Sequence, residues 1–405
     1  MAVGRLNEAG RLWEEVLSSS PNHSQALFHL GQHALYSKQP ARARMLLERA
    51  AALSPNDAAI ELNLSFVFRA MGDNSGEMGA LTRALTIDPY CYPALLARAM
   101  LLERTGLTKA AARTYKNVID IAPPADQLAP GLRQSLDHGR EVVKQNAVAL
   151  EAYIEERLRP ARLKHAGEAL ERFEECKAIA VGAKKAYAQQ PDMLLFPRLP
   201  AIQFYDNANF PWISQLEAAT DAMRGELLKV LKEDHEKFAP YVNHPPGSPL
   251  NQWAELNRSA RWSVFYLWKD GERLDENCAR CPQTRSVCDA IPMLEVPGYG
   301  PTVLFSLLSP HTRIPPHSGS TNARLIVHLP LIVPQGCGFR VGNETREWQV
   351  GKAWVFDDTI EHEAWNDSDE LRAIVMIDIW NPYLTIPERD LVSDLLVSLS
   401  DYYKS

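Results

Sequence analysis

A strict 34-residue period in the first third of the chain constrains its fold more than any other feature. Four prolines recur at this interval, namely Pro21, Pro55, Pro89 and Pro123. Small residues recur at the same interval at Gly31, Ser65 and Ala99. A second set of small residues with this spacing is Ala9, Ala43 and Ala111, and Glu77 occupies the position between the last two. Small residues let two helices approach closely, and a proline ends one helix and starts the next unit. The period therefore predicts a pair of packed helices in each repeat, which an ordinary helical bundle does not explain.

A repeat of this length and kind resembles the tetratricopeptide repeat. About three repeats fit before Pro123, near the minimum for a stable stack, and residues 1–20 look like the second helix of an incomplete first unit. We expect residues 1–124 to form an all-α solenoid. Such stacks bind peptides in a concave groove or serve only as a docking or dimerising scaffold. A peptide or protein substrate gripped by the repeats is the expected partner, with the scaffold as the alternative.

Residues 125–190 stay helical in pattern but lose the repeat. Apolar residues such as Val148, Ile154 and Leu158 fall near helical spacing, with Glu and Lys between them. We expect one or two long helices with a solvated charged face, forming a helical linker to the rest of the chain.

The composition changes near residue 190, and residues 191–405 are expected to form a separate domain. One more amphipathic helix is predicted at 216–232. Short segments rich in Val, Ile, Leu, Phe and Trp then follow one another without helical patterns between them, which predicts an antiparallel barrel or sandwich. The strands are expected at 261–268, 302–308, 323–333, 338–341, 352–356 and 371–379. The whole chain is thus predicted to be an α+β multidomain protein.

Bulk properties exclude several classes of protein. The formal net charge is −7 and the pI is near 5.9, whereas a general nucleic-acid binder normally has a basic face. No segment offers the roughly 18 consecutive apolar residues that a membrane-spanning helix needs, and the first residues contain no apolar signal core. We expect a soluble, cytoplasmic protein with no nucleic-acid and no membrane partner.

Six scattered cysteines do not form the pattern of a disulfide framework. Cys278, Cys281 and Cys288 are the one cluster that suggests a metal, but a fourth ligand at zinc-finger spacing is missing. Buried thiols or a single disulfide are the interpretations we prefer to zinc.

Three polar residues sit at the ends of predicted strands in the second half. His317 lies just before a predicted strand, His362 just after one, and Arg372 begins the last long one. Two imidazoles suit iron(II), and a buried guanidinium offers a bidentate partner for a carboxylate. An arginine within an apolar strand is costly unless an anion pairs with it.

The blocks that contain these residues resemble the aspartyl/asparaginyl β-hydroxylases. The similarity is densest in His317-Ser-Gly-Ser-Thr-Asn-Ala-Arg, in Gly351-Lys-Ala-Trp-Val-Phe-Asp-Asp-Thr-Ile-Glu-His-Glu-Ala-Trp, and at Arg372. It extends over roughly residues 197–390, and members with 34-residue repeats ahead of the barrel are known. The resemblance implies a double-stranded β-helix (jelly-roll) domain that uses Fe(II) and the co-substrate 2-oxoglutarate.

Carried over by position, the resemblance also assigns roles. His317 and His362 would be the metal ligands, and the family has no third protein ligand for iron. The carboxylate of the usual facial triad stands two residues after the first histidine, where this chain has Gly319. Arg372 and Ser306 would bind the distal carboxylate of 2-oxoglutarate. Two further residues would line the co-substrate pocket, His328 at the metal-proximal end and Trp262.

One position departs from the family. Some members have an arginine two residues before the histidine that matches His328, and this chain has Ile326 there. Arg324 lies on the same strand face, so we predict that it reaches the co-substrate pocket from one step farther. Asp357 and Asp358 follow a strand, which favours a turn or a supporting role over metal ligation.

The predicted reaction is the β-hydroxylation of an Asp or Asn residue in a peptide or protein, with 2-oxoglutarate converted to succinate and CO2. Two alternatives stay open at the level of sequence. One is an inactive barrel that acts with the repeats as a peptide-binding adaptor. The other is an oxygenase that acts on a small amino-acid-derived metabolite.

Overall fold

A computed structural model describes residues 2–124 and 127–404 of the chain. The predicted start of the linker, at Ala125, lies outside the described residues, and the boundaries predicted at 124 and 190 stay predictions. The chain divides into two compact units, Met1–Ala183 and Lys184–Ser405. Within the described residues, none of the helices combines the length and the apolar character needed to cross a bilayer.

The first unit is a run of helices, as the 34-residue period predicts. Its helices are α1 (Ala2–Ser19), α2 (Ser24–Tyr36), α3 (Pro40–Leu53), α4 (Ala58–Ala70), α5 (Asn74–Ile87), α6 (Tyr92–Arg104), α7 (Thr108–Asp120), α8 (Pro130–Lys164) and α9 (Glu171–Ala180). Each repeat is a pair that packs together, α2 on α3, α4 on α5 and α6 on α7. Asp57 and Asp73 cap α4 and α5 by accepting hydrogen bonds from backbone N–H groups of the first turn. The predicted helical repeat is therefore confirmed.

The small residues of the repeat lie where helices meet. A Cβ atom on Gly31 would be 2.6 Å from Cγ of Leu47, so α2 and α3 pack at a distance that only glycine allows. Ser65 and Ala99, one and two periods later, are completely buried. Glu77, which interrupts the second set of small residues, is also buried, and Arg104 neutralises it in an ion pair.

The helices that follow the repeat are largely solvated. Within α8 only Leu136 and Gly139 are buried among the described residues, and both belong to its first third. A Cβ on Gly139 would be 2.6 Å from the ring of Tyr115, so α8 begins by packing closely on α7. The predicted charged face of this segment is observed over the rest of the helix.

The second unit combines short helices with two antiparallel sheets. The helices are α10 (Ile213–Ala218), α11 (Thr220–Glu233), α12 (Asp275–Arg280), α13 (Pro282–Cys288) and α14 (Ile386–Lys404). The one helix predicted at 216–232 is in fact two. The helix is interrupted at Ala219, between the end of α10 and the start of α11.

An eight-stranded sheet forms the larger layer. Its strands are β1 (Phe204–Tyr205), β2 (Ala239–Pro240), β3 (Trp262–Lys269), β4 (Glu272–Arg273), β5 (Val303–Leu308), β7 (Arg324–Ile332), β10 (Trp354–Phe356) and β12 (Arg372–Trp380). They lie in the order β1-β10-β7-β12-β5-β3-β2, and β4 pairs with β3. The smaller sheet has the order β6-β11-β8-β9, formed by β6 (Thr312–His317), β8 (Cys337–Val341), β9 (Glu344–Arg346) and β11 (His362–Asn366). The two sheets are not joined into a closed barrel, so the double-stranded β-helix stays a prediction.

All six predicted strands are present, with ends shifted by one or two residues, but two longer strands were missed. His317 precedes β7 and His362 follows β10, as predicted, but each histidine also lies in a strand that was not predicted, since His317 ends β6 and His362 begins β11. Pro315 and Pro316 disguise β6, since proline is rare inside sheets.

The larger sheet is covered on both faces, as its apolar central strands require. On one face, Leu325, Val327 and Leu329 of β7 join a core with α11. On the other face, Ile326 and Ile374 join a second core with Phe339 of the smaller sheet. Residues with even numbers on β7 and β12 therefore point into the space between the two sheets.

Candidate active site

His317 and His362 lie side by side on neighbouring strands of the smaller sheet. They face each other in the pairing of β6 with β11, and their ring centroids are 4.0 Å apart. Nδ1 of His317 lies 2.8 Å from the carbonyl oxygen of Pro315, and Nδ1 of His362 lies 3.1 Å from that of Ile360. A carbonyl only accepts, so each Nδ1 carries the proton and each Nε2 keeps a free lone pair. Burial lowers the pKa of both imidazoles, which keeps them neutral and able to bind a metal.

A carboxylate approaches this pair from an unexpected position. Asp358 is buried, and its Oδ2 accepts a hydrogen bond from Nη2 of Arg324 at 2.5 Å, whereas Oδ1 has no partner. A Cβ on Gly319 would be 2.0 Å from Oδ2 of Asp358. The carboxylate thus fills the space that a side chain at position 319 would occupy. Among the described residues, no group of three His, Cys, Asp or Glu side chains is placed to hold a metal ion.

Arg372 is a buried cation that has no ion-pair partner among the described residues. It is 1% exposed, its Nε and Nη1 atoms have no hydrogen-bond partner, and burial lowers its pKa to about 10. The guanidinium carbon lies 4.8 Å from the centroid of the Trp348 ring, which supports the group on one side. A buried, unpaired guanidinium is costly, so this position is suited to an anionic ligand.

The other residues predicted for the co-substrate surround Arg372. Ser306 and Trp262 are buried, and Nε1 of Trp262 donates to Oγ of Ser306 at 3.1 Å. His328 is also buried, and both of its ring nitrogens lack a partner. Its pKa is lowered well below the ordinary value by burial and by the charge of Arg372. With the two paired histidines, these residues line one cavity of about 610 Å³.

Arg324 lines the same cavity but is already engaged. Besides its contact with Asp358, its Nη1 lies 3.6 Å from Oδ2 of Asp378. Although burial lowers the pKa of Arg324, the two carboxylates raise it well above the ordinary value. Ile326 stands where some family members have an arginine. It also lines the cavity and contributes no charge. The predicted site residues therefore all meet at one cavity, with Arg324 bound to two aspartates.

Asp378 and Trp348 were not among the site residues predicted from the sequence. Asp378 shares a strand face with Arg372, Ile374 and Met376, and all four line the cavity. Counting along β12 in steps of two would have found it. No comparable signal exists for Trp348, which comes from a loop and reaches Arg372 only through the fold.

The cysteine cluster lies away from this cavity. Cys278, Cys281 and Cys288 are free thiols buried in the core beside α12 and α13. Burial raises the pKa of Cys278 to about 11 and that of Cys281 to about 12. As buried free thiols, the three cysteines agree with the preferred interpretation of buried thiols.

Comparison with known proteins agrees with this geometry. Residues 217–382 match the family model described as Aspartyl/Asparaginyl beta-hydroxylase. This segment, less than half of the chain, is similar to the aspartyl/asparaginyl β-hydroxylase family. The match covers the paired histidines, Arg372 and the residues around them. The similarity to hydroxylases therefore lies within the second unit.

Three relatives illustrate the range of the family. The chain is 33% identical over 180 residues to Aspartyl/asparaginyl beta-hydroxylase of Homo sapiens, covering 44% of this chain and 24% of the relative. It is 34% identical over 193 residues to Ornithine lipid ester-linked acyl 2-hydroxylase of Rhizobium tropici, covering 47% and 64%. It is 28% identical over 206 residues to human Aspartate beta-hydroxylase domain-containing protein 2, covering 50% and 53%. The chain thus spans less than two thirds of the length of each relative.

Solved structures are similar at a lower level. MamA from Desulfovibrio magneticus RS-1 is 24% identical, with a TM-score of 0.28, over 30% of this chain and 68% of that chain. The Arabidopsis OM64 TPR domain is 19% identical, with a TM-score of 0.27, over 30% and 94%. TM-scores this low carry no inference about function.

Proposed function

We propose that the second unit is an Fe(II)- and 2-oxoglutarate-dependent oxygenase. Its reaction would be β-hydroxylation of an Asp- or Asn-type residue in a peptide or protein, with 2-oxoglutarate converted to succinate and CO2. The observation that carries the proposal is the pairing, in one cavity, of two neutral imidazoles with an unpartnered buried guanidinium. A predicted double-stranded β-helix topology belongs to the same proposal.

The donor set fits a metal ion of this kind. His317 and His362 would hold it through their Nε2 atoms, because backbone carbonyls already fix both Nδ1–H groups. Two imidazoles without a cysteine suit iron(II), and a site with few protein ligands leaves positions for a chelating co-substrate. When bound, the iron would supply the activation of O2.

The co-substrate end is built from donors that lack acceptors. The Arg372 fork matches the geometry of a carboxylate, and Ser306 would add a hydroxyl hydrogen bond. Because Trp262 donates to Oγ of Ser306, the hydroxyl proton is free to point to a ligand. His328 would contact the metal-proximal end as a neutral donor. Satisfying these groups would offset the cost of burying them in the free protein.

Asp358 and Arg324 would act as a pair. Arg324 holds Oδ2 of Asp358, which leaves Oδ1 free to accept a hydrogen bond from water or substrate in the cavity. We propose that Arg324 acts on the site through Asp358 rather than by gripping the co-substrate directly. A catalytically dead adaptor would have no physical reason to keep Arg372 buried and unpaired. The cytoplasmic location and the binding of peptides by the repeats remain predictions.

Anaerobic titration tests this function. Fe(II) and 2-oxoglutarate added to the 405-residue chain should produce a visible charge-transfer band, and air should then give succinate. His317→Ala should abolish both signals. His311→Ala is the matched control, because His311 is an exposed histidine paired with Asp369. Absence of the band in the unaltered protein, together with absence of succinate, would refute the proposal.

A further inference from the structure

The cavity has two ends that differ in charge. Trp262, Leu308 and Arg372 pair across three strands at the first end, which is the co-substrate end. At the second end, Ile326 of β7 pairs with Asp378 of β12. Arg372 and Asp378 are six residues apart on one strand, which corresponds to about 20 Å. The second end is therefore too far from Arg372 to be neutralised by it.

The second end adjoins the histidine pair. Phe356 pairs with Ile326 on the neighbouring strand, and its ring centroid lies 5.5 Å from that of His362. Leu304 and Met376 continue the lining between the two ends. A substrate side chain that presents a carbon atom to a metal held by the two histidines would therefore lie in this second end.

The buried charges at the second end do not balance. Arg324 contacts both Asp358 and Asp378. Among the described residues, it is the one lysine or arginine within 4.0 Å of either carboxylate. Lys269 also lines the cavity, but it is exposed and its Nζ lies over the ring of Tyr266 at 5.3 Å. One buried cation thus faces two buried carboxylates.

The second end also has an acceptor that lacks a donor. Oδ1 of Asp358 is buried and unpartnered, and Asp358 lines the cavity. Oδ2 of Asp378 accepts from the backbone N–H of Thr302 at 2.9 Å. Hence this end can accept hydrogen bonds from an entering group, and it repels a further negative charge.

We propose that the side chain entering this end is uncharged, and that a carboxamide is taken in preference to a carboxylate. The inference rests on the proposed hydroxylase function and narrows its substrate class from Asp or Asn to Asn. The two side chains have nearly the same shape, so steric fit does not separate them. Charge does, because a carboxylate would face Asp358 and Asp378, whereas an amide N–H would donate to Oδ1 of Asp358.

Two small probes test the proposal on the 405-residue chain loaded with Fe(II) and 2-oxoglutarate without O2. They are N-acetyl-asparagine amide and N-acetyl-aspartic acid α-amide, and the measurement is the perturbation of the charge-transfer band. The half-saturating concentration should be lower by about tenfold or more for the asparagine probe. Equal or tighter binding of the aspartate probe, or no effect of either at millimolar concentration, would overturn the proposal. A missing band before any probe is added would instead refute the co-substrate site, and this inference with it.

Variants of the charge pattern give a second test. Ile326→Arg places a cation opposite Asp378. The ratio of the half-saturating concentrations of the aspartate and asparagine probes should then come close to one. Ile326→Met, which changes shape without charge, should keep the preference for asparagine. Asp378→Asn retains an acceptor for Thr302 and removes one negative charge, so it should also weaken the preference. If Ile326→Arg and Asp378→Asn both keep the band and the full preference, charge is not the basis of selection.

Discussion

The carboxylate of Asp358 occupies the space in which a side chain on Gly319 would have to stand. A Cβ on Gly319 would lie 2.0 Å from Oδ2 and 2.3 Å from Cγ of Asp358, and the backbone N–H of Gly319 donates to the Asp358 carbonyl at 2.6 Å. The position two residues after His317 is therefore glycine because Asp358 requires it. The site carries its acidic group on the loop that follows β10 rather than beside the first histidine.

Gly319→Ala tests this relationship. The added methyl group should displace Asp358 and its contact with Arg324, lowering the free energy of unfolding by about 1–3 kcal/mol. Because the two side chains compete for one space, adding Asp358→Ala should cost less than the sum of the two single changes. Urea denaturation of the four proteins measures this coupling. Gly225→Ala is the control, since a Cβ there meets nothing within 4 Å at an exposed position of α11, and additive effects would contradict the prediction.

Arg372→Met should make the protein more stable while it abolishes co-substrate binding. Removing a buried, unpaired guanidinium relieves a desolvation cost, so the metal-free protein should gain about 1–3 kcal/mol in its free energy of unfolding. The same change should abolish the charge-transfer band at co-substrate concentrations that saturate the unaltered protein. Arg372→Lys keeps the charge but loses the fork, and should weaken co-substrate binding without the gain in stability. A less stable Arg372→Met protein would mean that the guanidinium is satisfied in the free state.

Much of the fold follows from local patterns in the sequence. The repeat was predictable because proline and small residues are required at fixed positions whatever their neighbours are. The long strands of the larger sheet were predictable because both of their faces are buried. β6 was not, since Pro315 and Pro316 disfavour a strand and pairing with β11 alone establishes it.

The site could be predicted only in part, because some of its contacts join residues that are distant in the sequence. His317, His362 and Arg372 could be selected because polar residues in apolar strands are unusual. The engagement of Arg324 by Asp358 and Asp378 depends on three separate strands or loops that only the fold brings together. Composition and spacing contain no signal for such long-range pairing.

Gly31 tests the packing of the repeat. Gly31→Ala puts a methyl group 2.6 Å from Cγ of Leu47, so α2 and α3 must separate, and we expect a loss of about 1–3 kcal/mol in stability. Gly79→Ala is the matched control in α5. Its Cβ meets only the end of Arg83 at 3.5 Å, so it should gain about 0.5–1 kcal/mol from helix propensity. Thermal unfolding followed by circular dichroism separates the two outcomes, and equal behaviour would refute close packing at Gly31.

Acid should destabilise the metal-free protein below about pH 6.5. The pKa values of His317, His328 and His362 are lowered by burial, so these imidazoles stay neutral in the fold. In the unfolded chain they take up protons below their ordinary pKa near 6.5. Their contribution to stability is thus complete above that pH and is lost as the pH falls, by up to about 1.4 kcal/mol per pH unit for each histidine.

Two buried carboxyl groups oppose this trend without reversing it. Burial raises the pKa of Asp357 to about 6 and also raises that of Asp378, so the folded state binds their protons more tightly and gains stability as the pH falls through this range. Because the imidazoles of the unfolded chain take up protons from about pH 6.5, above the pKa of Asp357, we expect a net loss of stability towards acid. Urea denaturation between pH 5 and pH 8 measures the slope. His328→Gln should reduce it by up to about 1.4 kcal/mol per pH unit, and a flat profile between pH 7 and pH 5.5 would exclude neutral buried histidines.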